Sequence, residues 1–279
     1  MTLEVVAFAG HECVRLEDGS DAAIVSTSVG PRIIGLFRDG DEHNVLAVLP
    51  DAKIDRTEGP PYRLLGGHRL WAAPEIPDVT YQPDDRPCAV AEVGDGVRVE
   101  APADGVGLIK AIEVRRSERG WTVDHSVTNC SGAPMTLAPW AITQLPLGGR
   151  MIVPSSTDAT GPQADRSLVL WPFTDPGDAR LHLTSDTVVV DTVATGHRLK
   201  IGVAPGRGHA SYSRNGTVLE KHVDIEADAI YADRGAAIQV FLSDGFCELE
   251  TLGPLREVSP DDVATHRERW IVRSDEDER

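Results

Sequence analysis

Apolar and polar residues alternate in short runs along most of the chain, and Gly, Asp, Asn or Pro cuts each run before it reaches helical length. This period-two pattern predicts strands over Leu3–Phe8, Glu12–Leu16, Ala22–Ser28 and Arg32–Arg38, with turns at Asp18-Gly19, Val29-Gly30-Pro31 and Asp39-Gly40. Ile33-Ile34-Gly35-Leu36-Phe37 is apolar on both sides, as expected of a strand buried in a packed sheet. Asn44-Val45-Leu46 then leads into a Pro-, Asp- and Gly-rich connection. It ends at Leu64-Leu65-Gly66-Gly67-His68-Arg69-Leu70-Trp71-Ala72-Ala73-Pro74-Glu75, where two glycines, His, Arg, Trp and Glu crowd together. That stretch reads as a loop entering a strand. Residues 76–86, rich in Pro and Asp, read as a loop placed to wall a cleft beside the His68 strand.

Further strands are predicted at Ala89–Val93, Gly96–Glu100 and Gly107–Val114, with a hairpin turn at Gly94-Asp95-Gly96. In Trp121–Asn129, Trp121, Val123, His125 and Val127 share the apolar face, so His125 is expected as a hydrogen-bonded core histidine. In Pro134–Leu145, Thr136, Ala138, Trp140, Ile142 and Gln144 share a face. Trp140 and Gln144 suit a pocket floor that stacks a ring and bonds its hydroxyls, and Trp140 equally suits the core. Residues 154–180 read as irregular. Strands resume at Leu181–Leu183, Thr187–Val190, Arg198–Val203, Ala210–Ser213, Thr217–Val223, Ala236–Leu242 and Phe246–Leu252, and Arg214-Asn215-Gly216 is a hairpin turn. Glu248 and Glu250 fall on one face of the last of these, toward a site or toward solvent. Pro260–Arg269 is the best short helix candidate, with Asp261-Asp262 near its start. The chain is therefore expected to be all-β, with packed antiparallel sheets in a sandwich or barrel and no fixed-period repeat.

Charge narrows the partners. Against 27 Lys plus Arg stand 44 Asp plus Glu, a net charge of -17, so neither nucleic acid nor an anionic membrane is an expected partner. No apolar run is long enough to span a bilayer, and Met1-Thr2-Leu3-Glu4 has no signal-peptide character, so a cytoplasmic location is expected. Cys13, Cys88, Cys130 and Cys247 form no CxxC pair and are expected as reduced thiols. The nine histidines show no HxH or HExxH spacing, so no metal is expected.

Three segments together resemble the aldose epimerase (galactose mutarotase-like) superfamily, in a bacterial branch related to hexose-6-phosphate epimerases. Gly66–Glu75 looks like the Gly-Gly stretch of those epimerases. Val127-Thr128-Asn129 through Gly149 resembles the Thr-Asn turn that precedes the strand with the catalytic His-x-Tyr-Phe-Asn. Tyr231 through Pro254 looks like the late strand that brings the catalytic Glu. The resemblance implies a single galactose mutarotase-like domain over residues 1–279, a β-supersandwich of large antiparallel sheets with one sheet curved into a sugar-binding cleft. It implies anomer interconversion by an acid and a base on opposite sides of one ring, with no metal and no organic cofactor.

The chain departs from that pattern where it matters for chemistry. Trp140 stands where the family carries its catalytic His, and Gln144 where the motif's Asn would fall; Trp cannot act as a general acid. His68 is the expected replacement acid, and Glu248 or Glu250 the base. Arg69, Trp71, Glu75, Trp140 and Gln144 are expected to contact substrate, and Lys221 to contact an anionic group if its strand faces the cleft. The expected function is a cofactor-independent carbohydrate isomerase acting on a sugar or sugar derivative. The alternatives are a non-catalytic carbohydrate-binding protein that uses Trp140 as a stacking platform, or a cleft recruited to a lyase or cyclisation step.

Overall fold

A computed structural model describes residues 3–19, 21–40, 42–155, 161–162, 164–204 and 207–278. The opening meander forms as predicted, from β1 (Glu4–Phe8), β2 (His11–Asp18), β3 (Asp21–Ser26) and β4 (Arg32–Phe37). The Pro- and Asp-rich connection that follows is a hairpin of β5 (Val48–Ile54) and β6 (Tyr62–Gly66). Pro50 hid it from the pattern; it falls in the register shift between Leu49 and Lys53, where the ladder asks no N–H of it. The His68–Ala73 stretch is β7, followed by one helical turn, α1 (Pro77–Thr80), within the predicted loop.

Then come β8 (Ala89–Val93), β9 (Gly96–Glu100), β10 (Leu108–Ser117), β11 (Gly120–Asn129) and β12 (Met135–Leu145), close to their predicted bounds. β13 (Arg150–Pro154) ends where the segment read as irregular begins, and β14 (Ser167–Leu170) brings strand structure to that segment, of which residues 156–160 and 163 lie outside the described residues. The remainder comprises β15 (Leu181–Leu183), β16 (Thr187–Asp191), β17 (Leu199–Ala204), β18 (His209–Arg214) and β19 (Thr217–Val223). After a single turn, α2 (Ala232–Gly235), come β20 (Ile238–Leu242), β21 (Cys247–Leu252), β22 (Arg256–Val258) and β23 (Val263–Ser274).

β23 replaces the predicted Pro260–Arg269 helix. Its buried residues, Ala264, His266, Glu268, Trp270 and Val272, recur with period two. Two of those five are polar, so the inward face did not read as apolar. No helix among the described residues is long and apolar enough to cross a membrane.

Apart from the two-stranded β5–β6 hairpin, the described strands make two large antiparallel sheets. One runs β1-β2-β3-β4-β7-β12-β21-β20-β17-β14, with β22 also paired to β12; the other runs β15-β16-β13-β18-β19-β23-β11-β10-β9-β8. Their facing surfaces share one apolar core that includes Leu70, Val99, Ile112, Trp121, Leu249 and Trp270. Complete burial of such a side chain stabilises by roughly 1.5–3 kcal/mol, which is why the alternation survives so many turns. The outer face of the first sheet carries a second apolar cluster around Tyr62, Trp71, Trp140 and Leu252, covered in part by the β5–β6 hairpin.

Two features fix that hairpin. Gly66 and Gly67 have φ of +86° and +73°, and a Cβ on them would meet the Ala47 and Ile33 carbonyl oxygens at 2.1 and 2.2 Å. Only glycine lets the chain fold so tightly from β6 into β7. The wholly buried Arg32 then donates to the carbonyls of Leu64 (2.7 Å) and Gly66 (2.8 Å) and to Asp84 (2.7 Å), clamping hairpin and loop to β4.

Candidate functional site

β7, β12 and β21 lie side by side at the middle of the first sheet. Trp140 stands opposite both Trp71 and Leu252, Gln144 opposite Glu248, and Ile142 opposite both Arg69 and Glu250. Because side chains alternate along a strand, Arg69, Trp71, Trp140, Gln144, Glu248 and Glu250 take the outer face. His68, Thr143, Leu249 and Thr251 take the inner one.

The outer face opens into a cleft of about 370 Å³. Its floor is aromatic and charged: Arg69, Trp71, Trp140 and Glu248, joined by Lys200 from β17. Lys53 and Ile54 of the hairpin, Glu75 and Tyr81 of the loop, and Trp171, Phe173, Arg198, Phe241 and Phe246 form its walls. The size falls within the range of small-molecule sites. Trp71 and Trp140 meet edge to face with ring centroids 5.4 Å apart. The Arg69 guanidinium lies 4.2 Å from the Trp71 ring centroid, and Lys200 Nζ lies 4.7 Å from the centroids of both Trp140 and Trp171.

The two carboxylates differ. Arg69 Nη2 (2.9 Å) and Gln144 Nε2 (3.0 Å) both donate to Oε1 of Glu248, which lines the cleft. Glu250 sits fully buried one step behind, where Trp140 Nε1 (2.8 Å) and Lys200 Nζ (2.9 Å) donate to its Oε2. Burial pushes the Glu250 carboxyl up to about 7; Lys200 opposes the shift and the nearby Glu248 adds to it. Arg69 Nε and Nη1 and Gln144 Oε1 make no hydrogen bond within the protein. Tyr81 donates to Glu75 across the mouth of the cleft, and burial with that carboxylate raises the phenol above its ordinary range.

Of the residues singled out from sequence, Arg69, Trp71, Glu75, Trp140 and Glu248 line this cleft, and Gln144 and Glu250 support it through the bonds just described. His68 and Lys221 do not face it. His68 is one residue out of phase with Arg69 and Trp71, so its ring points into the space between the sheets, with no exposure. Lys221 belongs to β19 of the second sheet and is buried against the same space, where an anionic substrate in the cleft cannot meet it. Lys200 was missed. The signal was present: Leu199, Ile201 and Val203 are the buried inward set of β17, which leaves Lys200 on the outer face.

The inward residues form a second polar cluster. His68 Nδ1 lies 2.9 Å from Thr143 Oγ1, and His68 Nε2 lies 2.7 Å from His125 Nε2. His125 Nδ1 donates to the His266 carbonyl at 3.0 Å, so His125 is the hydrogen-bonded core histidine expected of it. Lys221 Nζ pairs with Glu268 Oε1 at 2.7 Å and donates to Thr143 Oγ1 at 2.9 Å, while Trp270 Nε1 donates to Glu268 Oε2 at 2.7 Å. Thr251 bridges His266 and Glu268. Burial drives all three imidazoles below their ordinary values, His266 to about 3. Glu268 goes the other way for a buried carboxyl: Lys221 and then the histidines outweigh burial and hold it well below the usual range.

No protein-family model matches the chain, and no curated protein does. Solved structures share its fold. An Escherichia coli K12 protein bearing the provisional name aldose 1-epimerase superposes with a TM-score of 0.60 at 16% identity, over 94% of this chain and 99% of that one. A galactose mutarotase-like protein from Clostridium acetobutylicum gives 0.60 at 10% identity, over 98% of each chain. A TPR-domain containing protein from Parabacteroides distasonis gives 0.63 at 15% identity, over 94% of this chain and 47% of that one. The fold is thus the galactose mutarotase-like arrangement of large antiparallel sheets.

Proposed function

We propose that the chain is a carbohydrate isomerase of the epimerase or mutarotase kind, working by proton transfer alone in the outer cleft of the first sheet. Glu248 carries this reading: it reaches a cleft floored by tryptophans while Arg69 and Gln144 hold one of its oxygens in place. Glu248 is the base that takes the proton of the anomeric hydroxyl. Lys200, held by Glu250 against the Trp140 ring, gives a proton to the ring oxygen. The C1–ring oxygen bond breaks, the anomeric carbon becomes a carbonyl, and reclosure from its other face returns both protons. Lys200 with Glu250 thereby takes the place that His68 held in the sequence reading. A carboxyl near 7 can hold and release a proton near neutrality, so Glu250 can restore the one that Lys200 gives up.

The mutarotase-like structural neighbours support a sugar as the ligand, and the four free cysteines accord with a cytoplasmic location. Saturation-transfer NMR on aldoses, uronic acids and sugar phosphates tests the reading. Wild type should accelerate anomer exchange of at least one of them, and Glu248→Gln should slow it by about 100-fold or more. Line broadening without acceleration would instead identify a sugar-binding module, a second reading favoured by the Trp71, Trp140 and Trp171 rings in the cleft.

A further inference from the structure

The cluster between the sheets has the donor chemistry of a metal centre. We propose that His68 Nε2, His125 Nε2 and a Glu268 carboxylate oxygen bind a divalent first-row transition ion of the zinc class, tying β7 of one sheet to β11 and β23 of the other. The donor atoms of these three buried residues lie within 4.8 Å of one another. Nothing in their spacing along the chain announces them, since the two histidines are 57 residues apart and Glu268 is on the last strand.

The bonds around the triad point its donors inward. A backbone carbonyl only accepts, so His125 Nδ1 carries the proton that it gives to His266, and its Nε2 lone pair faces the cluster. His68 Nδ1 faces the Thr143 hydroxyl, which can donate or accept, so His68 Nε2 can carry either a proton or a lone pair. Ligating imidazoles are held in this way by a partner on the other ring nitrogen. Glu268 Oε1 is engaged by Lys221, whereas Oε2, 3.9 Å from His68 Nε2, accepts only the Trp270 N–H and has a lone pair to spare.

Without an ion the two Nε2 atoms share a proton at 2.7 Å. Two donors each about 2.0–2.1 Å from one tetrahedral ion stand roughly 3.3 Å apart, so the two rings must part by about half an ångström to admit it. The shared proton then moves to His68 Nδ1, which donates to Thr143. Two imidazoles and one carboxylate select zinc, cobalt or nickel over magnesium or calcium. His125 and His266 also line a depression of about 420 Å³ at the second sheet, with Arg98, Asp124 and Thr265.

Lys221 is the competing cation, and it supplies a test. A tag-free chain is expressed in zinc-supplemented medium, or unfolded with chelator and refolded with Zn²⁺ or Co²⁺, and bound metal is measured by mass spectrometry. The expected result is close to one ion per chain, visible ligand-field bands with Co²⁺, and loss of both in His125→Gln but not in the cleft variant Glu248→Gln. Lys221→Met should unfold more easily in chelator than wild type and be restored by Zn²⁺, a readout that survives even if His125→Gln does not fold. Folded wild type holding less than about a tenth of an ion per chain after refolding with excess Zn²⁺ would overturn the proposal, as would equal binding by His125→Gln. None of these outcomes depends on the cleft having any activity.

Discussion

The same three strands carry two polar layers, and one residue of phase separates them. On the outer face of β7, β12 and β21, buried atoms of Arg69 and Gln144 are left without a protein partner, in the pattern of a surface meant to receive a ligand. On the inner face every buried polar side-chain atom of His68, Thr143 and Thr251 is engaged, together with those of His125, Lys221, His266 and Glu268 from the second sheet. The carboxylates show the consequence. Burial raises both, but Glu268 has a lysine and three histidines around it and ends low, whereas Glu250 has one lysine offset by Glu248 and ends near 7. Neighbours, rather than depth, decide which buried acid can exchange a proton at neutral pH.

The largest expected effect breaks the inner layer. Lys221→Met removes the ammonium from a wholly buried pair and should cost about 3–5 kcal/mol in guanidinium unfolding under chelating conditions. Lys200→Met should cost distinctly less, because Glu250 needs only to take up a proton when its partner goes. Equal losses from the two lysines would erase the distinction between the layers.

A pH dependence comes next. The Glu250 carboxyl binds protons more tightly folded (about 7) than unfolded (4.5), so between those values the folded state holds the extra proton. Stability from this group is fully present below pH 4.5 and is lost as pH rises through 7, by about 3 kcal/mol at 1.36 kcal/mol for each unit. Asp124 and Glu220 have lowered values and act with the opposite sign, losing stability as pH falls through the acid range. The difference between wild type and Glu250→Gln isolates the term; a difference that is flat from pH 5 to 8 would mean that Glu250 titrates normally.

How far the sequence led follows the same division. Strands with apolar inner faces, such as Gly96–Glu100 and Thr217–Val223, were legible to the residue. β23 was not, because His266 and Glu268 occupy inward positions that the pattern expects to be apolar. β5 and β6 were not, because Pro50 and the glycines read as loop. In the site, Arg69, Trp71, Trp140 and Glu248 were found because residue types concentrate there. His68 was assigned to the cleft by proximity in sequence, although strand parity already opposed it to Arg69 and Trp71.

Parity also predicts what each layer does to catalysis. Arg69→Ala should lower kcat/KM for anomer exchange by about 100-fold, roughly 2.7 kcal/mol, because Glu248 loses the cation that orients it. His68→Gln, one residue earlier, should leave kcat/KM of the folded protein within about threefold while lowering its unfolding midpoint. The reverse result, with His68→Gln abolishing exchange and Arg69→Ala sparing it, would move the chemistry to the inner cluster.

The smallest expected effect is the most diagnostic of the outer layer. Trp140→Phe keeps a ring against Lys200 but deletes the Nε1–H that donates to Glu250 Oε2. That bond favours the ionised carboxylate, so its loss should raise the Glu250 value beyond 7 and carry the fall in stability to higher pH. The cost should be about 1 kcal/mol at pH 8, where Glu250 is charged, and less at pH 5, where it holds its proton. Chemical denaturation at the two pH values reads the difference directly. Equal losses would show that Trp140 contributes through packing alone, and Lys200 would then be the one neighbour that favours the ionised Glu250 against burial and Glu248.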